Sequence, residues 1–227
     1  MYQINPLPEQ VAPEDLALLL QAEPATIGHF QASGILRADI RAHQQDTRVA
    51  GTAVTVRMPG VDGGILHYAM GCVRPGDVLV IDRCGESVTA ALGGAMAFAA
   101  RQAGVAAIIV DGLVTDLGEL RQHGVPVWSK GPSAVTTRVL GIEGAFCDTI
   151  SCGGVTTQPG DAVLADENGV LILRPHALRA AAQRAVAFQL QEQTTLTRLR
   201  SGEKFPDVVG SRAVLDQAIA AATAAQH

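Results

Sequence analysis

The sequence of 227 residues predicts a mixed α/β fold, and two observations support this prediction. Hydrophobic residues make up 48% of the chain and charged residues only 17%, as is typical of a globular protein with a large core. Short β-branched runs also alternate with Ala-rich segments of helical periodicity. Because only 4% of the residues are aromatic, we expect a core built mainly from Val, Leu, Ile and Ala.

Helices and strands are predicted in turn in the first half of the chain. Acidic residues after Pro13 open a leucine-rich helix, and a second, short helix is predicted over residues 26–32. The alternating β-branched pattern of residues 48–58 predicts a strand. A short helix over residues 63–70 follows, and a Pro-Gly turn leads into a buried strand over residues 77–82.

The second half continues this alternation and ends in helical segments. An Ala- and Met-rich helix begins at the pair Gly93-Gly94 and ends before Gly104. The remaining predicted elements are a strand over residues 105–110, a helix over 117–122, strands over 125–128 and 169–175, a long helix over 176–200 and an alanine-rich helical tail over 214–225.

Two similar stretches suggest a repeated turn. "RPGDVLVIDRCGE" begins at Arg74 and "QPGDAVLADENGV" begins at Gln158, and each places Pro-Gly-Asp before a strand and an Asp after it. Pro-Gly favours a tight turn, and the Asp side chain can accept a hydrogen bond from the backbone of that turn. We therefore expect two structural turns of the same kind.

Charge and cysteine content exclude several classes of function. The net charge is −5 and no Lys/Arg run stands out, which argues against binding nucleic acid. The four cysteines form no CxxC pair or zinc-binding cluster, so reduced, mostly buried thiols are expected. The N-terminus lacks a signal-peptide pattern, and no window reaches the ~18 apolar residues of a membrane span. We predict a cytoplasmic protein that binds no membrane.

The stretch "IIVDGLVTD", residues 108–116, places Asp111 and Asp116 near the end of a predicted strand. In open α/β sheets, ligands usually bind at such strand ends. Asp116 also precedes a helix, and Glu119 three residues later completes a pattern resembling a capping box. A helix cap and a metal or substrate role both stay open, because one carboxylate oxygen can cap while the other binds a hydrated Mg²⁺.

Other candidate residues have a structural alternative. Gly93 and Gly94 at a helix start expose backbone N–H groups that suit a carboxylate or phosphate, but they also suit close packing of small residues. His67 is flanked by apolar residues, which favours a half-buried structural histidine over a ligand. Glu192 lies among Gln and Thr in the long helix and by itself is expected to be a surface acid.

Taken together, these motifs resemble the RraA-like family. The resemblance covers residues 48–202 and rests on "PGDVLVID", the Gly-Gly pair, "GVAAIIVDGLVTD", "GVPVW" and "SCGGVTTQPGDAVLADENGVLILRP". The family includes class II 4-hydroxy-4-methyl-2-oxoglutarate/4-carboxy-4-hydroxy-2-oxoadipate aldolases and regulators of ribonuclease E activity. It implies a three-layer ββα sandwich resembling the swivelling phosphohistidine domain, here over residues 1–210, with a C-terminal helical extension over residues 211–227. It also implies a homotrimer or a dimer of trimers.

The resemblance further implies an active site between subunits. Backbone amides of Gly93, Gly94, Ala95 and Met96 would bind a pyruvyl carboxylate. Thr115 and Asp116 fall on the catalytic Arg-Asp pair of the family, so Thr115 would also contact substrate and Asp116 would hold a divalent cation, Mg²⁺ or Mn²⁺. Glu192 corresponds loosely to an acid contributed by the neighbouring subunit.

Two positions depart from the family pattern. Thr115 stands in place of the arginine, and Gly94 stands in place of an acid. A charged donor of this kind typically stabilises a transition state by ~3 kcal/mol or more, whereas a Thr hydroxyl offers only a neutral hydrogen bond.

The resemblance therefore leads to two predictions of function. The first is a divalent-metal-dependent lyase of the pyruvate aldolase type, with oxaloacetate decarboxylase activity, or a divergent relative acting on a small oxo or hydroxy acid. The alternative is a non-catalytic trimeric binding protein that regulates ribonuclease E.

Overall fold

The computed structural model describes residues 1–225, in which helices and strands alternate as the sequence predicts. The helices are α1 Pro13–Leu19, α2 Pro24–Gly28, α3 Gly64–Met70, α4 Gly94–Gln102, α5 Leu117–His123, α6 Pro175–Arg200, α7 Phe205–Val208 and α8 Ser211–Ala224. The strands are β1 Tyr2–Ile4, β2 Arg41–Ala42, β3 Val49–Arg57, β4 Asp77–Asp82, β5 Thr89–Ala90, β6 Ala107–Asp111, β7 Leu113–Val114, β8 Val127–Ser129, β9 Gly131–Pro132, β10 Val135–Thr136, β11 Gly144–Phe146, β12 Ile150–Cys152, β13 Val155–Thr157, β14 Ala162–Asp166 and β15 Gly169–Leu173.

A large sheet has the strand order β1-β11-β3-β4-β6-β8-β2, and its middle strands β3, β4, β6 and β8 are parallel. Alternate residues of β4 enter two different cores: Leu79 and Ile81 pack with the helices, whereas Val78 and Val80 pack with β14 and β15 on the other face. Burial on both faces explains the continuous apolar runs of these strands, because parallel sheets are usually covered on both sides. The β-branched runs of the sequence therefore predict the parallel middle strands of this sheet correctly, whereas β1, β2 and β11 were not predicted.

A smaller sheet has the order β10-β5-β7-β9, and all of its paired strands are parallel. Two central strands of the large sheet, β4 and β6, are each followed by a short strand of the small sheet and then by a helix. The chain runs from β4 through β5 into α4, and from β6 through β7 into α5. This repeated order produces the ββα sandwich, so the predicted fold class is confirmed.

The passage from one sheet to the other requires close packing. Arg83, fully buried between β4 and β5, donates hydrogen bonds to the carbonyl oxygens of Met58 (3.0 Å) and Gly60 (2.7 Å). A Cβ atom on Gly112, between β6 and β7, would lie only 2.4 Å from Arg83 Cγ. The glycine of "VDG" is therefore needed because the backbone passes over a buried arginine.

The two Pro-Gly-Asp stretches form the same turn, as predicted. Asp77 Oδ2 accepts a hydrogen bond from the Arg74 amide at 2.8 Å, and Asp161 Oδ2 accepts one from the Gln158 amide at 2.7 Å. The strands that follow, β4 and β14, pair with opposite edges of β3. The repeat therefore has a structural role in both places.

Two units make up the described chain: Met1–Gln183, and a second that begins at Arg184 within α6. The second unit contains the end of α6, α7 and α8, and α8 buries none of its residues within this chain. The predicted helical tail is thus confirmed as a helix, while the predicted domain boundary after residue 210 stays a prediction. None of the helices in the described residues combines the length and the apolar character needed to cross a membrane.

Several local predictions need correction. The second helix spans Pro24–Gly28, earlier than the predicted residues 26–32, because Pro24 suits the first turn of a helix. The strands of the small sheet were not predicted, since two residues carry no periodic pattern. All four cysteines are free as expected, but Cys84 is exposed, whereas Cys147 and Cys152 are buried.

Candidate active site

A cavity of about 240 Å³ lies at the carboxyl ends of the small sheet. Because β5, β7 and β10 are parallel, the segments that follow them meet at one edge, where ligands commonly bind in α/β proteins. The residues that line the cavity are His67, Ala90, Ala91, Leu92, Gly93, Gly94, Ala95, Met96, Thr115, Asp116, Thr136 and Thr137. The structure therefore places around one cavity the residues Gly93, Gly94, Ala95, Met96, Thr115 and Asp116, whereas Asp111 does not line it.

The start of α4 presents free backbone donors to this cavity. The Gly94 amide donates to Asp116 Oδ2 at 3.0 Å, and the Ala97 amide donates to the Gly93 carbonyl oxygen at 3.0 Å. Ala95 and Met96 lie between Gly94 and Ala97, and neither of their amides has an acceptor among the described residues. Two unpaired N–H groups at the positive end of a helix dipole form a site suited to a carboxylate.

Asp116 does not cap its own helix α5, which corrects the capping-box prediction. Its backbone is left-handed, with φ 55° and ψ 44°, and its side chain makes no hydrogen bond to the first turn of α5. The carboxylate instead reaches Gly94 at the start of α4, and the Thr115 hydroxyl donates to its Oδ1 at 3.2 Å. Such a conformation costs on the order of 1–2 kcal/mol for a residue other than glycine, although Asp tolerates it better than most.

Glu119 lies beside the start of α4, although it is not among the residues that line the cavity. Its Oε2 lies 1.6 Å from the position that a Cβ atom on Gly94 would occupy. The carboxyl group therefore fills the space where a side chain at position 94 would begin, close to the Asp116 carboxylate. The sequence carried one signal for this placement: Glu119 follows Asp116 by three residues, and residues i and i+3 lie on one face of a helix.

The Gly-Gly pair is required by these two acids. A Cβ atom on Gly93 would lie 2.3 Å from Asp116 Oδ2 and 2.7 Å from Thr115 Cγ2, and one on Gly94 would collide with Glu119. Close packing, one of the two interpretations of the pair, is thus confirmed, while binding of an anion by the helix start stays a prediction.

Replacing Gly93 with alanine should therefore lower the free energy of unfolding and displace Asp116. We expect a loss of about 1–3 kcal/mol in the free energy of unfolding, as for other overpacked sites. The matched control is Gly118→Ala in α5, where a Cβ atom meets nothing within 4 Å and stability should stay equal or rise slightly. Urea unfolding measures both variants. Equal stability of the two would contradict the packing described for Gly93.

Asp62 connects two walls of the cavity. It accepts hydrogen bonds from the amides of Gly64 (2.9 Å), at the start of α3, and of Leu140 (3.0 Å) and Ile142 (2.6 Å). Burial alone would raise the pKa of Asp62, but these amides and the Tyr2 hydroxyl outweigh burial and hold its pKa well below the usual range. The ionised side chain thus fixes α3 against the segment that follows Thr137.

An Asp62→Asn variant should be less stable at neutral pH by about 1–3 kcal/mol, because buried amides lose a charged acceptor. The folded-state pKa is depressed, so the stabilisation by the ion is present above about pH 4 and is lost as the pH falls below that value. Urea unfolding at several pH values should show the difference between wild type and variant narrowing in acid. A constant difference would contradict this role.

Asp111 does not join Asp116, although both follow the same apolar run. It ends β6 in the large sheet, where its carboxylate forms an ion pair with Lys130 and accepts a hydrogen bond from the Gly153 amide at 2.7 Å. The chain passes into the small sheet after Gly112, and this passage separates the two acids. Asp111 therefore has a structural role.

His67 and Glu192 differ in how they relate to the site. His67 is exposed and lines the cavity, so the prediction of a half-buried structural histidine was wrong. Glu192 lies exposed on α6 in the second unit. Its predicted role as an acid supplied by a neighbouring subunit stays a prediction.

The donor set suits a divalent cation with oxygen ligands. Asp116 and Glu119 place two carboxylates beside the start of α4, and no group of three or more His, Cys, Asp or Glu side chains in the described residues is arranged for a metal. Mg²⁺ keeps several waters and typically binds proteins through one or two carboxylates. The residues present therefore fit a hydrated Mg²⁺ or Mn²⁺ better than a zinc centre.

A ββα sandwich with two free backbone amides at a helix start, beside two acids, defines an α/β protein with a candidate small-molecule site. A family model described as RraA-like, Aldolase/RraA, matches residues 22–172, which is more than half of the chain. The chain therefore belongs to the RraA-like family.

Similar proteins agree with this assignment. A protein of Halalkalibacterium halodurans named "Putative 4-hydroxy-4-methyl-2-oxoglutarate aldolase" is 32% identical over 138 residues, which cover 61% of this chain and 65% of that relative, just under two thirds of its length. The crystal structure of RraAS2 from Streptomyces coelicolor, described as an unusual member of the RNase ES inhibitor RraA family, is 28% identical with a TM-score of 0.69 and covers 83% of this chain and 98% of that one. An uncharacterised protein of Pseudomonas syringae shares the fold, with a TM-score of 0.77 at 21% identity over 88% of this chain and 99% of that one.

Proposed function

We propose that this protein is a divalent-metal-dependent carbon-carbon lyase that releases pyruvate from a small 2-oxo acid. The substrates proposed are oxaloacetate, by decarboxylation, and 4-hydroxy-4-methyl-2-oxoglutarate, by aldol cleavage. The observation that carries the proposal is the pair of free amides, Ala95 and Met96, facing the same cavity as Asp116. The relative from Halalkalibacterium halodurans, which bears an aldolase name, supports it.

The charges at the site favour a cation together with the substrate. A substrate carboxylate on the Ala95 and Met96 amides lies near two protein carboxylates, Asp116 and Glu119. Like charges brought this close together repel one another. A divalent cation held by these acids removes the repulsion, which is why we include Mg²⁺ or Mn²⁺ in the proposal.

The residues of this chain then have separate roles. The amides of α4 bind and orient the carboxylate of the substrate, and Asp116 and Glu119 hold the cation. When bound, the cation supplies Lewis-acid polarisation of the 2-oxo group, the usual contribution of such ions to lyases. Thr115 orients Asp116 through its hydroxyl, and its proton is then directed away from the substrate.

A direct assay tests this proposal. Purified protein is incubated with oxaloacetate or 4-hydroxy-4-methyl-2-oxoglutarate, with Mg²⁺, with Mn²⁺ or with EDTA, and pyruvate is measured by a coupled dehydrogenase. We expect turnover above the metal-catalysed background that EDTA abolishes. Absence of turnover of both substrates at saturating metal would reject the lyase.

A second candidate is a non-catalytic binding protein that regulates ribonuclease E. Thr115 favours it, because the site lacks the charged donor that the family places there. The Streptomyces coelicolor structure supports it by its description as a member of an RNase inhibitor family. Inhibition of ribonuclease E by this protein, in the absence of any turnover, would establish this function in place of the lyase.

The proposal includes a homotrimer or a dimer of trimers. Apolar residues before and after the cavity-lining pair Thr136-Thr137 are exposed in the single chain: Val135, Val139, Leu140 and Ile142. Exposed apolar residues grouped in this way are typical of subunit interfaces. Light scattering in solution tests the assembly, and a monomer would contradict it.

A further inference from the structure

His67 has an exposed imidazole at the wall of the cavity, although its apolar neighbours in the sequence suggested burial. Ile65, Leu66 and Ala69 form the buried face of α3, and His67 lies on the opposite face, exposed and lining the cavity. Its imidazole forms no hydrogen bond or ion pair with another described residue. An unpaired polar ring at the wall of a cavity needs a partner, either water or ligand.

The cavity also lacks other positive groups. Among the described residues that line it, His67 alone has a side chain that can carry a positive charge. The Thr115 hydroxyl already donates to Asp116 Oδ1, so it is not free to donate to a ligand. A second anionic group on a substrate would therefore meet, among the described residues that line the cavity, no side chain that can carry a positive charge other than His67.

The position of His67 is fixed by the fold. The Gly63 amide, at the start of α3, donates to the Arg138 carbonyl oxygen at 2.7 Å, and the Gly64 amide donates to Asp62 Oδ1 at 2.9 Å. These bonds hold α3 against the segment that carries Thr136 and Thr137, which line the same cavity. A donor held on a short, anchored helix loses little freedom when it binds a ligand.

We propose that His67 is a substrate-binding residue that donates a hydrogen bond to the second carboxylate of a 2-oxo dicarboxylic acid. This inference rests on the proposed function, in which the Ala95 and Met96 amides bind the first carboxylate. His67 therefore selects dicarboxylic over monocarboxylic 2-oxo acids. The selectivity arises because a monocarboxylic acid leaves the imidazole without an anionic partner.

Binding of two unreactive probes tests the proposal. Titration calorimetry in the presence of Mg²⁺ compares 2-oxoglutarate, which has two carboxylates, with 2-oxobutyrate, which has one. Wild type should prefer 2-oxoglutarate. His67→Ala should weaken 2-oxoglutarate about 10-fold or more, the range of a hydrogen bond to a charged group, and change 2-oxobutyrate less than about threefold. His67→Gln, which keeps a neutral donor, should fall between.

His176→Ala is the matched control, since this exposed histidine lies outside the cavity lining and should leave both affinities unchanged. Equal weakening of both probes by His67→Ala would assign a structural role and overturn the proposal, as would no change in either. If wild type binds both probes without preference, the inference about His67 fails while the proposed function stands. If wild type binds neither, the proposed function fails and the inference fails with it.

Discussion

An Asp116→Asn variant is expected to fold normally and to lose metal-dependent turnover by about 100-fold or more. Asparagine adopts the left-handed backbone of position 116 as readily as aspartate, and its side-chain oxygen can still accept the Gly94 amide. The change therefore removes the charge while it keeps the shape. In the proposed function the cation has only one or two carboxylate ligands from the protein, so loss of one is expected to weaken its binding strongly.

Two measurements separate the role in metal binding from folding. Mn²⁺ binding is followed by electron paramagnetic resonance, and stability by urea unfolding. We expect the variant to retain stability within about 1 kcal/mol and to lose Mn²⁺ binding. A Glu119→Gln variant should lose less of its Mn²⁺ binding and less of its turnover than Asp116→Asn, because Asp116 remains.

Asp46→Asn provides a matched control for Asp116. Asp46 is also an exposed aspartate with a left-handed backbone, at φ 52°, and it does not line the cavity. Its replacement tests whether asparagine is tolerated in this conformation, and turnover should not change. Full turnover in Asp116→Asn would show that the cation, if required, binds elsewhere.

The middle strands of the large sheet were predictable because they carry a strong local signal. The continuous apolar run of β4 is bounded by a Pro-Gly turn and by Asp82, and the structure places this strand over the predicted residues 77–82. The small sheet was not predictable in the same way. Its strands are two residues long and are held by pairing between segments far apart in sequence, such as Ala90 with Leu113. Only tertiary structure specifies such contacts.

In the candidate site, too, features with a local sequence signal were predictable and features set by tertiary contacts were not. Gly93, Gly94 and Asp116 were found from the sequence, since a Gly-Gly helix start and an acid at a strand end are local features. The hydrogen bond between Asp116 and Gly94 was not, because it connects two ββα units. The local pattern favoured a cap on α5, but the left-handed backbone of Asp116 turns its side chain toward α4. Tertiary geometry therefore overrode a local preference.

His67 was misjudged for a reason that the sequence itself could correct. Its immediate neighbours are apolar, which suggested burial. Spacing along a helix is the better guide, because Ile65, Leu66 and Ala69 fall on one face and leave His67 on the other. The spacing does not tell which surface His67 faces. Asp62 sets this by joining α3 to Leu140, about 70 residues later in the chain, so only the structure could place His67 in the cavity.

A Thr115→Arg variant is expected to raise turnover of oxaloacetate by about 100-fold, the largest gain we predict for a single change. A preorganised charged donor typically contributes this much when negative charge develops on a substrate oxygen. Thr115 lines the cavity of about 240 Å³, into which a longer side chain can extend. Arginine also offers a paired set of donors that threonine lacks.

Thr115→Val serves as the control, since it removes the hydrogen bond to Asp116 Oδ1 without adding charge and should not raise turnover. Thr115→Lys should give a smaller gain than arginine, because a single ammonium group cannot donate two parallel hydrogen bonds. The kcat and KM values for oxaloacetate are compared at saturating Mg²⁺. A Thr115→Arg variant that folds and binds Mg²⁺ but gains no turnover would argue against the lyase and for a cavity that only binds. In that case, threonine at position 115 would mark a site adapted to retain its ligand intact.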